Sequence, residues 1–158
     1  ANEGIKAFSQ IEGMFAIAIF DGENLILIRD AIGKRPLFYT KKQNTFAVSS
    51  SLKSLSKFSL IEKKLNLNAV ASFLTFAYLP GSETLLENVF ELLPAHALKI
   101  FPNGKTELTN YYEPIEQIDE KTSTKKHIKN LRQSLENSIL NKLPETDEEI
   151  GVFLSGGI

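Results

Sequence analysis

Residues 13–22 read Gly13-Met14-Phe15-Ala16-Ile17-Ala18-Ile19-Phe20-Asp21-Gly22. Large and small apolar side chains alternate along this stretch, the period of a strand, and Asp21-Gly22 supplies the residue pair that tight two-residue turns prefer. The expectation is a β-hairpin returning through Leu25–Arg29. A loop follows at Asp30-Ala31-Ile32-Gly33. Residues 36–39 and 45–48 then read as two more strands joined across 41–44, so four short strands at close spacing predict an antiparallel sheet. Three serines at 49–51 can cap a short helix carrying Leu52 and Leu55 on one side.

Downstream, Asn68 is placed to cap a helix in which Val70, Phe73, Leu74 and Ala77 share a face, ended by Pro80-Gly81. Such a face is expected to pack on something apolar. Residues 95–101 and 106–112 flank Pro102-Asn103-Gly104 and predict a second hairpin. Residues 114–122 are polar and read as an interdomain linker. Ser123 opens a long amphipathic helix with Ile128, Leu131, Leu135 and Ile139 at intervals of three or four, ending near Leu143-Pro144. Residues 150–154, Ile-Gly-Val-Phe-Leu, form a nearly unbroken apolar run suited to a parallel strand buried on both faces. The chain thus divides into 1–113, a linker at 114–122, and 123–158. Ala1 starts without a leader and Ile158 follows a strand with no helix after it, so both ends read as cut.

Composition narrows the chemistry. With 18 Lys plus Arg against 19 Asp plus Glu, the formal charge is −1, and no basic surface for nucleic acid follows. No apolar run approaches the roughly 18 residues of a membrane helix, and residues 1–10 lack a signal peptide's pattern, so a cytoplasmic protein is expected. There is no Cys, and two isolated His residues cannot build a zinc site, so no metal ligands are assigned.

The strongest local signal for chemistry is the run into Ser155-Gly156-Gly157. Glycines straight after a strand let backbone N–H groups converge on a phosphate, although an ordinary strand-end turn is the commoner explanation of the tripeptide alone. Arg29-Asp30 with Gly33, Arg35 and Pro36 could orient a ligand. The favoured reading is structural, with both charged side chains satisfying loop backbone groups and Gly33 at positive φ. His96 and His127 are read as structural or solvated, and the lysine pairs as solvated surface.

Three blocks in order, "IEGMFAIAIFD" with "IRDAIGKRPLFY" and "VSSSLKSL", then "LNAVASFLTFAYLPGSETLLENVFELLPAHALKI", then "EEIGVFLSGGI", resemble the glutamine-dependent asparagine synthetase family. The resemblance implies an α+β chain. Its first part would be the C-terminal portion of an N-terminal-nucleophile αββα glutaminase domain. The first helix and strand of an α/β ATP-pyrophosphatase domain would follow. In that family an N-terminal Cys attacks glutamine, using its own α-amino group as base, and the ammonia released crosses an internal tunnel. At the second site ATP with Mg²⁺ activates aspartate as an acyl-adenylate, and ammonia displaces AMP to give asparagine.

Carried over residue by residue, Leu154 would contact the nucleotide, and Ser155, Gly156 and Gly157 would hold its phosphates. Met14 matches a position near the ammonia tunnel, with a plain core methionine as the alternative. No catalytic residue is assigned, because the nucleophilic Cys is absent from these 158 residues. The isolated chain is therefore expected to be inactive. The small-molecule substrates implied are glutamine, aspartate and ATP, and a homodimer is compatible with the resemblance alone. Ser51 stands where the family often carries Glu. Two alternatives stay open: a related amidotransferase acting on a sugar or β-lactam-type acceptor, or a noncatalytic module.

Overall fold

The computed structural model describes residues 4–43, 45–59, 61–116, 118–146 and 148–156. The chain forms two compact units, Ala1–Pro114 and Ile115–Ile158. The first is a mixed α+β unit with antiparallel sheets.

Its elements are a 3-10 helix at Gly4–Gln10, strands β1 (Ala16–Phe20), β2 (Leu25–Arg29), β3 (Phe38–Lys42) and β4 (Thr45–Ser49), and helices α1 (Leu52–Leu55) and α2 (Leu67–Phe76). Strands β5 (Val89–Glu91), β6 (His96–Ile100) and β7 (Thr106–Asn110) complete it. The first hairpin forms with Phe20 opposite Leu25, so the connection is four residues long rather than two. The Asp21 carboxylate explains the longer loop. It accepts the backbone N–H groups of Glu23 at 3.0 Å and Asn24 at 2.6 Å, an Asx-type turn that competes with the tight one. These bonds hold its pKa down at about 2.

The four early strands do not share one sheet. They split between a sheet ordered β1-β2-β6-β7 and another ordered β4-β3-β5. Side-chain alternation shows why. Leu25 and Leu27 of β2, with Leu98 and Ile100 of β6, project to one side and meet Tyr39, Phe46 and Val48 of the other sheet in one cluster. Ile28 and Ala97, one residue out of phase, cover the opposite face and pack with Ile5 and Phe8 of the 3-10 helix. Ala47 and Val89 likewise turn away to meet Leu55 of α1. The Gly4–Gln10 3-10 helix and α1 thus pack on the outward faces of the two sheets. A single sheet would have left one of these two apolar sets in water.

Strand β5 lies outside the predicted strands because three residues carry no usable periodicity, yet it closes the second sheet against β3. Helix α1 begins as expected, with the Ser51 hydroxyl accepting from the Ser54 N–H at 3.3 Å. Helix α2 is capped by Asn66, not Asn68. The Asn66 side chain accepts from Ala69 N–H at 3.2 Å, two residues earlier than the apolar pattern suggests. Instead of packing on an apolar layer, α2 buries only Ala69 and leaves Leu67, Phe73 and Leu74 exposed. The β6–β7 hairpin forms around Gly104 at φ 77°, with Phe101 N–H bonded to the Lys105 carbonyl at 2.9 Å.

The second unit holds α3 (Thr124–Leu140), which ends before Leu143-Pro144, and Ser123 caps it without a side-chain hydrogen bond. The buried strand expected at 150–154 is absent. Residues 150–154 lie outside any strand, and Ile150, Val152, Phe153 and Leu154 are exposed. A parallel strand gains its hydrogen bonds from neighbours, and among the described residues of this unit there is no other strand to supply them.

Candidate functional site

Strand β2 delivers Arg29 and Asp30 to the rim where the two sheets meet, and both are buried. The Asp30 carboxylate turns onto its own loop. Oδ1 accepts from Ile32 N–H at 3.2 Å and Lys34 N–H at 2.9 Å, and Oδ2 accepts from Arg35 N–H at 3.0 Å. Burial pushes the Asp30 pKa up, but the N–H groups of Arg35, Lys34 and Ile32 together outweigh it and leave the carboxyl below its ordinary value.

The Arg29 guanidinium binds outward in four directions. Nε donates to the Arg35 carbonyl at 3.0 Å, Nη1 to Leu92 at 2.6 Å and Nη2 to Gly33 at 2.8 Å, and Nη2 also pairs with the Glu91 carboxylate at 2.7 Å. Gly33 sits at φ 70°, and a Cβ there would lie 2.6 Å from Pro94 Cγ. The Tyr111 hydroxyl donates to the Arg29 carbonyl at 2.5 Å. Both charged residues are thus consumed by the scaffold, as the structural reading of the loop expects. What the scaffold presents is Arg35, whose N–H and C=O are both tied down while its guanidinium has no partner among the described residues.

Arg35 lines an open cleft of about 590 Å³ together with Met14, Phe15, Ala16, Pro36 and Ser50. The wall is apolar on the β1 side and carries one cation and one hydroxyl on the other. Met14 is half exposed at this cleft rather than buried in the core. Sequence reasoning singled out Met14 and named Arg35 only as part of the loop. The clue available was Pro36, which fixes the backbone just after Arg35, but nothing in the sequence brings Ser50 to the same place.

In the second unit, Leu154, Ser155 and Gly156 are exposed, and Gly157 lies outside the described residues. Gly156 takes φ 70° with nothing within 4 Å of the position a Cβ would occupy. That left-handed backbone is one that glycine adopts without strain. No group of three or more His, Cys, Asp or Glu residues that could hold a metal ion occurs among the described residues. No helix there is long and apolar enough to cross a membrane.

The putative glutamine-hydrolysing asparagine synthetase 2 of Methanocaldococcus jannaschii is 31% identical over 161 residues, covering 98% of this chain and 31% of that protein. Glutamine-hydrolysing asparagine synthetase 1 of Bacillus subtilis is 28% identical, covering 97% of this chain and 24% of its own length. The amidase chry2 of Gibberella zeae is 29% identical, covering 98% and 23% respectively. The chain therefore spans about a quarter to a third of the length of these relatives. Residues 1–112 match the glutamine amidotransferase domain family. Through this match and these relatives, the chain belongs to the class II glutamine amidotransferase domain family, in its branch related to the asparagine synthetases.

Proposed function

We propose that this chain is a segment of a glutamine-dependent asparagine synthetase, comprising the later part of an αββα N-terminal-nucleophile glutaminase domain and the start of an ATP-binding domain. The observation that carries this reading is similarity to glutamine-hydrolysing asparagine synthetases that continues through both units, over 97–98% of the chain. Two sheets packed face to face, with helical segments on their outward faces, support the glutaminase assignment.

On this reading, glutamine hydrolysis requires a cysteine nucleophile that these 158 residues do not contain, so the chain alone hydrolyses no glutamine. Met14 lines the cleft with Arg35 and Ser50, and on this reading it would face the ammonia path. In the second unit, Leu154 would lie against the nucleotide, with Ser155, Gly156 and Gly157 around its phosphates. Bound ATP with Mg²⁺ would supply the adenylyl group that activates the aspartate carboxylate, with pyrophosphate leaving. The chain's contribution is backbone donors and space, which Gly156 at φ 70° favours.

A second reading keeps the glutamine chemistry and changes the acceptor. It is favoured by the similarity to the fungal amidases chry2 and chyE, at 29% and 27% identity, over nearly the same span. Reading the natural gene on both sides of the segment tests the shared part. A Cys codon directly after the initiating Met and an Asp-Ser pair after Ile158 are the expected result. Absence of both would remove the catalytic reading. Competition between aspartate and other acceptors in the encoded full-length protein then separates the two readings.

A further inference from the structure

Asn103 is the one asparagine in the sequence that precedes a glycine. It sits exposed at the tip of the β6–β7 hairpin, and Gly104, at φ 77°, has no side chain to shield its own backbone nitrogen. The Asn103 side chain is turned along the chain. Its Oδ1 accepts from the Lys105 N–H at 2.9 Å, an Asx-type turn that folds the amide toward the peptide link with Gly104. From the other sheet, Lys41 of β3 donates from Nζ to the Gly104 carbonyl at 2.6 Å. That carbonyl and the Lys105 N–H belong to one peptide group. The ammonium therefore polarises the same N–H that the Asn103 oxygen accepts, and the two hydrogen bonds strengthen each other.

We propose that Asn103 is a site of self-modification, in which the Gly104 backbone nitrogen closes on the Asn103 side-chain carbon and the amide nitrogen leaves as ammonia. Hydroxide removes the Gly104 N–H proton, and the nitrogen forms a bond to Cγ. The negative charge that develops on Oδ1 meets the Lys105 N–H, a donor already in place, as in an oxyanion hole. Collapse of this intermediate breaks the bond from Cγ to Nδ2, which takes a proton from water and departs as ammonia, leaving a five-membered imide. Water then opens the ring. Addition at Cγ gives aspartate, and addition at the main-chain carbon gives isoaspartate. The sum is one water consumed and one ammonia released, with no oxidant or cofactor. One bond restrains the step. Gly104 N–H donates to the Phe101 carbonyl at 2.8 Å, so the turn opens before the nitrogen attacks. Isoaspartate adds a carbon to the main chain inside the turn closed by the 2.9 Å bond from Phe101 N–H to the Lys105 carbonyl, and so loosens the β6–β7 pairing.

Incubation of the 158-residue chain in mildly alkaline buffer, followed by tryptic mapping, tests this. The peptide of residues 100–105 should show the mass change of an amide turned to an acid ahead of every other asparagine. An isoaspartyl methyltransferase with a labelled methyl donor should label the same peptide. Lys41→Met should slow the conversion about threefold or more, because the Lys105 N–H loses the partner that polarises it. Lys42→Met, its neighbour on β3, should leave the rate unchanged, and circular dichroism confirms that both variants keep the fold. Conversion first at another asparagine overturns the proposal, as does an intact Asn103 after a synthetic peptide of residues 100–105 has reacted to completion. A Lys41→Met rate equal to or above that of the parent chain also overturns it.

Discussion

Arg29 and Leu92 lie 63 residues apart, and the Arg29 Nη1 donates to the Leu92 carbonyl at 2.6 Å. The bond ties the end of β2, in the first sheet, to the residue that follows β5 in the second. Because the same guanidinium also holds the carbonyls of Gly33 and Arg35 and pairs with Glu91, its planar fork cannot be replaced by an ammonium group. Arg29→Lys should lower the unfolding free energy by about 2 kcal/mol and Arg29→Ala by about 3–4 kcal/mol, since buried acceptors are left unsatisfied. Urea denaturation measures both; a loss below about 0.5 kcal/mol for the alanine variant would contradict this role.

Gly33 is constrained by space as well as by conformation. At φ 70°, a methyl group would meet Pro94 Cγ at 2.6 Å and the Arg29 guanidinium carbon at 3.2 Å. Gly33→Ala should therefore cost about 2–4 kcal/mol, more than φ alone would require. The double variant Gly33→Ala/Pro94→Ala should recover part of the loss, and a double-mutant cycle with no coupling would count against the clash.

Asp30 makes stability depend on acidity. Its folded pKa lies below the unfolded value of about 3.9, so the unfolded chain binds the proton more readily. The stabilisation is complete above that unfolded value and is lost as pH falls through the folded pKa. Asp30→Asn should destabilise the protein at neutral pH, because its amide would turn a donor toward the loop N–H groups that now meet carboxylate oxygens. Unfolding curves collected from neutral pH downward should show the variant and the parent sequence converging in acid. A constant gap across that range would assign the effect to something other than the carboxylate.

The boundary between units gives a simpler prediction. Lys121 is exposed between Pro114 and the start of α3. Brief trypsin treatment should cut there early and leave a fragment containing the first unit, since exposed segments between compact units are cleaved first. Mass spectrometry identifies the cut. Initial cleavage at Arg29 or Lys99, both inside the sheets, would contradict the division.

Much of the first unit is legible in its residues because each signal is local. Alternation from Ala16 to Phe20 marks a strand, and Asp30 beside Gly33 marks a loop that supplies its own hydrogen-bond acceptors. Partition into two sheets is less legible, since Leu27 and Ile28 are equally apolar and only the layers on both sides explain the pair. Strand β5 is too short to declare itself, and Asn66 displaced Asn68 because cap geometry is decided by a hydrogen bond rather than by periodicity. The cleft was partly legible: Met14 is marked by its sequence context, but Ser50 reaches it only through the fold. For residues 150–154, apolar composition is a demand for partners, and their structure depends on neighbours that composition cannot supply.

Under the proposed function, this segment would serve an enzyme that moves the amide nitrogen of glutamine to aspartate. The most direct measurement incubates the full-length protein encoded around it with aspartate, MgATP and glutamine carrying heavy nitrogen in its amide. The expected result is asparagine labelled in its side-chain amide, with AMP formed in equal amount and no transfer by the 158-residue chain alone. Labelled ammonia without asparagine, or AMP formation that ignores aspartate, would contradict the claim.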